Sequence, residues 1–220
     1  MSVAKPSNLS ATQRRLLDAA SLEILERGYS ASTLASIAAR LGMTKGAYAY
    51  HYPSKRAIAV ALIDHQIALL SLSNEQARAT YEGGGLRGLI DVILMIGENN
   101  AVDPIYAAAS TVGVDPVALD LALPDTFPFW RDIVESYLVE GIALGEVDPS
   151  TNPTEAAGDF LTTMIGLAFV QRRKHRSFGS QPLRFLAVSL RLAGALAPEP
   201  LIDEVVRARH PIAPDAPRRG

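Results

Sequence analysis

Between Thr33 and Lys55 the chain reads Thr-Leu-Ala-Ser-Ile-Ala-Ala-Arg-Leu-Gly-Met-Thr-Lys-Gly-Ala-Tyr-Ala-Tyr-His-Tyr-Pro-Ser-Lys. This is two short helix patterns, a glycine turn and a run of aromatics, and no other stretch constrains the fold as tightly. Thr33 stands as an N-cap, with Ile37, Ala38 and Leu41 repeating at helical spacing behind it. Gly42 supplies the backbone freedom of a tight inter-helix turn. Thr44 caps a second short helix, and Pro53 ends it by disfavouring helical geometry at Tyr52. Ser54 caps the next helix. Two short helices joined this way form a helix-turn-helix, the arrangement that sets a helix end in the DNA major groove.

Charge is distributed unevenly. The net value of −2 combines eight Lys/Arg against three Asp/Glu in residues 1–60 with thirteen against twenty in the remainder, that is +5 and −7. A basic first quarter before an acidic body suits an anionic partner held at one end. The 220 residues allow one large or two small domains, and the alanine- and leucine-rich composition, without hairpin turn signals, predicts helices throughout. Cysteine is absent, which removes disulfides and thiolate chemistry. The first ten residues lack the pattern of a signal peptide, and the apolar stretch near Phe160 to Val170 is shorter than a bilayer crossing requires. The expectation is a soluble, cytoplasmic protein without membrane contact.

Along the chain, Ser10 and Gln13 have capping-box spacing and open a helix that Gly28 closes, with Leu17, Ala20 and Ile24 as its buried stripe. A fourth helix is expected from Lys55 into the low seventies. Gly83-Gly84-Gly85 reads as a connector, because no strand or Gly-Lys-Ser/Thr accompanies it. A helix follows over 86–98, two short ones start at Asp103-Pro104 and Asp115-Pro116, and a longer one starts at Pro128. Gly145 to Pro149 is a loop. The last two long helices are expected from Thr154 to about Arg173 and from Pro182 to Ala197, with only a turn or two after Pro198 and a disordered Pro/Arg-rich tail from Pro211. The basic run Arg172, Arg173, Lys174 and Arg176 suits a helix end better than a second nucleic-acid site.

Residues 10–60 resemble the TetR (tetracycline-repressor-like) family of bacterial regulators. Gly28-Tyr29, Thr33, Ile37-Ala38, Leu41-Gly42, Thr44-Lys45-Gly46, Tyr50-His51-Tyr52 and Ser54-Lys55 carry the resemblance. It implies an all-α fold: an N-terminal three-helix helix-turn-helix domain over 1–54, then a helical-bundle ligand-binding and dimerisation domain over 55–197, with 198–220 as a short helix and tail. It implies DNA contact by Thr33, Thr44, Lys45, Gly46, Ala47, Tyr48, Tyr50, His51 and Lys55. Physical chemistry agrees, since free N–H groups at helix starts, lysine and tyrosine all reach phosphate. Where the family usually reads Leu-Tyr, this chain has Tyr48-Ala49. Tyr48 is then either buried with its hydroxyl paired elsewhere or turned outward to replace the missing contact.

Implied partners are a double-stranded DNA operator, a second copy of the chain through the helices near 154–173 and 182–197, and a small, mostly apolar effector, either lactone-like or another apolar ligand. Met95, Tyr106, Phe127, Trp130, Phe160 and Met164 are its expected walls, against the plainer reading that each is a packing residue. The tryptophan is also similar to one in the γ-butyrolactone receptors of that family. No cofactor or metal is expected: His51, His65, His175 and His210 are scattered, and no nucleophile–base pair or HExxH motif is present. The expected function is a ligand-responsive homodimeric repressor rather than an enzyme. The alternative is a DNA-binding or protein-interaction module with no small-molecule effector.

Overall fold

The computed structural model describes residues 9–119, 121–174 and 182–210; beyond their helical backbone, nothing is said of the side chains of Pro116, Leu119 and 167–174. The described residues form eleven α-helices: α1 Ala11–Arg27, α2 Leu34–Arg40, α3 Lys45–Ala49, α4 Lys55–Thr80, α5 Gly85–Val102, α6 Pro104–Val112, α7 Pro116–Leu119, α8 Phe127–Ala143, α9 Pro153–Lys174, α10 Pro182–Leu192 and α11 Pro198–Arg209. Extended pairing among them is limited to one isolated bridge, Val147 to Ala195. The fold is all-α. Packing divides it into two compact units, 1–76 with 92–128 and 77–91 with 129–220.

In the first unit, α1 is amphipathic and capped as its sequence implies: Ser10 and Gln13 form a reciprocal capping box, and Gly28 ends the helix at φ +83°. Leu16, Leu17, Ala20 and Ile24 are buried with Ile37 and Ala38 of α2 and with Ile58, Leu62 and Ile63 of α4. The same core takes in Ile105, Ala108, Ala109 and Val112 of α6. Small residues on both helices (Ala19 and Ala20, Ala108 and Ala109) let α1 and α6 approach closely. By length and composition α4 is apolar enough to cross a bilayer. Its Ile58, Ala59, Leu62, Ile63, Ala68 and Leu70 are nevertheless buried in the protein, so the apolar stripe is a core face.

In the second unit, Tyr137 of α8 packs flat against Gly88 of α5, where a β-carbon would stand 2.4 Å from the ring. Arg78 lies over that ring at 3.9 Å and donates to Ser136 at 2.7 Å. The 145–149 loop pairs with the end of α10 through Asp148 N to Gly194 O at 3.0 Å and Leu196 N to Glu146 O at 2.9 Å.

Three expected boundaries are corrected. The fourth helix does not stop in the low seventies but runs to Thr80, since nothing before Gly83 breaks it. The helix from Pro182 stops at Leu192 rather than Ala197, because Gly194 turns left-handed at φ +89° with Thr151 pressed against it. The turn or two expected after Pro198 is a helix of 12 residues, α11, anchored by buried Ile202 and Val205. The tail from 211, and Arg176 of the basic run, lie outside the described residues.

Candidate nucleic-acid interface

The helix-turn-helix forms as its local chemistry dictates. Thr33 caps α2 in a reciprocal box with Ser36, at 3.0 Å in each direction. Gly42 makes the turn at φ +65°, a conformation that costs an L side chain. The Thr44 hydroxyl accepts from Ala47 N at 3.2 Å, and Ser54 accepts from Ala57 N at 3.1 Å to start α4. Arg40 fastens α2 to α1, bonding Glu23 Oε2 at 2.5 Å and also Glu26. The Arg40 hydrogen bond holds the Glu23 carboxyl below the usual carboxylate range, outweighing burial, which pushes it up.

Most of the expected DNA contacts face outward. Thr33, Thr44, Lys45, Gly46, Ala47, Tyr50 and His51 are exposed, Tyr50 at 86%. Tyr50 and His51 meet edge-to-face, with ring centres 5.2 Å apart. A cleft of about 540 Å³ is lined by Ser30, Ser32, Thr33, Leu34, Ala35, Lys45, Pro53, Ser54 and Lys55, so hydroxyl and ammonium donors share one open volume with apolar side chains. That is a surface for anionic oxygens.

Two expected contacts face elsewhere. Tyr48 is fully buried, and its hydroxyl donates to Leu16 O at 3.1 Å. Of the two readings of Tyr48-Ala49, the inward one holds: the ring fills the space between α3 and α1, and burial pushes the phenol pKa well above its ordinary value. Tyr48 is therefore a core residue rather than a DNA contact. Lys55 is half-buried; its ammonium donates to Tyr29 O at 2.6 Å and Ser30 O at 3.2 Å and lies 4.4 Å from the Tyr29 ring centre. Burial lowers its pKa, opposed by Asp115. It borders the cleft with its charge already engaged.

The polar ties behind this face leave no local trace in the sequence. Asp103, the N-cap of α6, accepts from Ile105 N at 2.9 Å and from Arg14 of α1 at 3.4 Å, and pairs with His65 of α4 at 2.8 Å. Asp115 accepts from the Ser30 hydroxyl at 2.6 Å and from Val117 N at 3.0 Å. Each aspartate was legible as a helix cap, but nothing nearby announces a partner 38 to 89 residues away. Of the expected effector walls, Met95, Tyr106 and Phe127 belong to the first unit and Trp130, Phe160 and Met164 to the second. Tyr106 and Phe160 are buried, and the others are half-buried. Among the described residues, no three His, Cys, Asp or Glu side chains form a metal-binding group.

Within the first unit a capped helix start stands beside a cleft that carries cationic and hydroxyl donors, the geometry of a helix-turn-helix. Residues 16–62 match the family described as bacterial regulatory proteins, tetR family. It is 26% identical over 215 residues to the A-factor receptor protein of Streptomyces griseus, covering 94% of this chain and 75% of that one. A solved gamma-butyrolactone receptor (ArpA-like protein) is similar over 83% of this chain and 96% of its own, at 24% identity and TM-score 0.58. CprB from Streptomyces coelicolor, solved in complex with its operator sequence, is similar over 92% of this chain and 99% of its own, at 22% identity and TM-score 0.65. At these identities the two structural likenesses are likenesses of fold.

Proposed function

We propose that this protein is a homodimeric repressor that reads a palindromic operator and responds to a small, mostly apolar effector. The observation that carries the DNA half is the split within the aromatic run: Tyr48 and Tyr52 are buried, while Lys45, Ala47, Tyr50 and His51 stand clear on the same short segment. Thr44, Lys45, Gly46 and Ala47 face the base edges and sugar-phosphate rim, and Ala47 offers only a methyl, which suits a thymine methyl group. Thr33, Tyr50 and His51 bind phosphates. Lys55 reaches phosphate only by giving up the Tyr29 and Ser30 carbonyls. Two copies place their α3 helices in successive major grooves, about 34–36 Å apart.

The second copy docks through α9 and α10, whose Ile165, Leu183, Val188 and Leu192 are exposed at 37% to 62%. Residues 1–54 then serve as the DNA-reading domain and 55–197 as the effector and dimerisation domain. Support for the effector comes from the relatives: the A-factor receptor protein and the gamma-butyrolactone receptor are receptors by name, and a lactone-like ligand is the corresponding expectation here. An effector that shifts the DNA-competent conformer by about 1–3 kcal/mol is enough for regulation. The protein acts in the cytoplasm, where operator and effector meet.

The test is DNA affinity as a function of salt. Lys45→Ala and Tyr50→Ala are expected to weaken binding, and Lys45→Ala to reduce the salt slope by about 0.9 for each phosphate it no longer neutralises. Unchanged affinity and slope in both variants would remove the site assignment. A monomer by light scattering at micromolar concentration would remove the dimer.

A further inference from the structure

We propose that the Gln13–Leu16 turn of α1 sets the pose of the recognition helix α3, and that Arg14 is a positioning residue for operator reading; this rests on α3 being the DNA-reading element. Two tyrosine hydroxyls from the recognition segment converge on backbone carbonyls of that single turn. Tyr48 donates to Leu16 O at 3.1 Å and Tyr52 to Gln13 O at 3.5 Å. In a helix each carbonyl already accepts its own intrahelical N–H, so the tyrosines use the remaining lone pairs and register the position of the turn. The third polar element of the turn is Arg14, which faces the other way, toward Asp103 at 3.4 Å and Asp18 at 3.4 Å.

Asp103 is a fixed point. It caps α6 through Ile105 N and Tyr106 N and pairs with His65 of α4, so it cannot follow Arg14 without uncapping a helix. With only five residues, α3 is too short to hold its own orientation, and its direction is set by whatever it is tied to. No single bond here is strong. The strength lies in their convergence: the α6 cap, Arg14, one turn of α1, then both buried tyrosines of the recognition segment. A displacement of the α6 cap therefore re-aims α3 through α1 as well as through any movement of α4.

Two measurements on the full-length protein test this, with Arg14→Gln and Tyr48→Phe as variants that keep side-chain bulk and Arg14→Lys as the conservative control. The first is amide hydrogen exchange without DNA. Arg14→Gln, which touches neither tyrosine, is expected to speed exchange at residues 45–52 several-fold, roughly the factor of one hydrogen bond. Tyr48→Phe should do the same, Arg14→Lys should largely restore protection, and α2 should be unaffected. The second uses a duplex selected by the wild-type protein from a randomised pool, beside a scrambled duplex of equal length. Both variants are expected to lose about 3- to 10-fold in affinity for the selected duplex and nothing for the scrambled one, with the double variant losing less than the product.

Unchanged exchange at 45–52 in Arg14→Gln, a uniform acceleration over the whole unit, or losses that multiply independently would each overturn the proposal. If selection returns no preferred sequence, the operator reading itself fails, while the exchange result still decides whether α1 positions α3.

Discussion

Around the helix-turn-helix, each helix begins on a hydroxyl that accepts from an amide three residues on: Ser10 from Gln13, Thr33 from Ser36, Thr44 from Ala47 and Ser54 from Ala57. In the second unit α9 is capped locally, by Asn152 accepting from Thr154 N at 3.1 Å, but α5 and α11 start differently. The first amides of α5 go to carboxylates from far along the chain, Gly85 N to Glu140 at 3.3 Å and Leu86 N to Glu146 at 2.9 Å. No side chain caps α11 at Ala197; Arg87 to Glu204 at 2.9 Å and Arg209 to Asp91 at 2.6 Å hold it instead. The first design fixes a helix start by two residues three apart in sequence. The second makes the ends depend on the closed fold, and its failures are correspondingly larger.

The sharpest way to break this comparison is Arg209→Ala. Asp91 is 4% exposed, and removing its partner leaves a carboxylate buried without its counter-charge. Breaking such a pair costs on the order of 3–5 kcal/mol, against about 1 kcal/mol for a lost cap. Urea unfolding of the variant is expected to show a loss of about 3 kcal/mol, with hydrogen exchange in α11 rising to the global rate. A loss below about 1 kcal/mol, no more than a missing cap, would mean that Ile202 and Val205 anchor α11 without help.

The same contrast explains what could be read from the chain. Ser10, Thr33, Thr44, Ser54, Asp103 and Asp115 all cap helices where the pattern placed them, because a cap is a contract between residues two or three positions apart. The exposed face of α3 was legible for the same reason. The end of α10 was not, since Gly194 reads as an ordinary small residue until Thr151 and the 145–149 loop are packed against it. Nor was α11, whose start between two closely spaced prolines carries no side-chain cap and which is held by ion pairs to Arg87 and Asp91 of α5. Tyr48 was ambiguous because it stands where the resembled family usually has a leucine, and a tyrosine satisfies burial there only if its hydroxyl finds an acceptor; Leu16 O, 32 residues earlier, is that acceptor.

A smaller effect sharpens the local half of the comparison. Thr44→Ala removes the bond to Ala47 N and is expected to cost about 1 kcal/mol, felt by α3 alone. Global stability should fall by no more than that amount, while exchange quickens at residues 45–49 ahead of the other helices and DNA affinity falls. An equal quickening throughout the first unit would show that α3 is not the locally specified element described here.

The smallest expected effect is on acid stability, and it falls between the two designs, because Glu23 is a long-range partner inside the locally specified unit. Arg40 lowers the pKa of Glu23 below its ordinary 4.5 in the folded state, and Ser36 and Arg27 add to that effect against burial. A carboxyl with a depressed folded pKa contributes stability that is fully present above its unfolded value and is lost as pH falls through the folded one. The contribution is therefore intact at neutral pH and fades only below about 4.5. In Glu23→Gln the stability profile of the first unit should lose part of its slope in that acidic window and keep its shape from about pH 5 to 8. A slope that instead appeared near neutrality would assign the titration to another group.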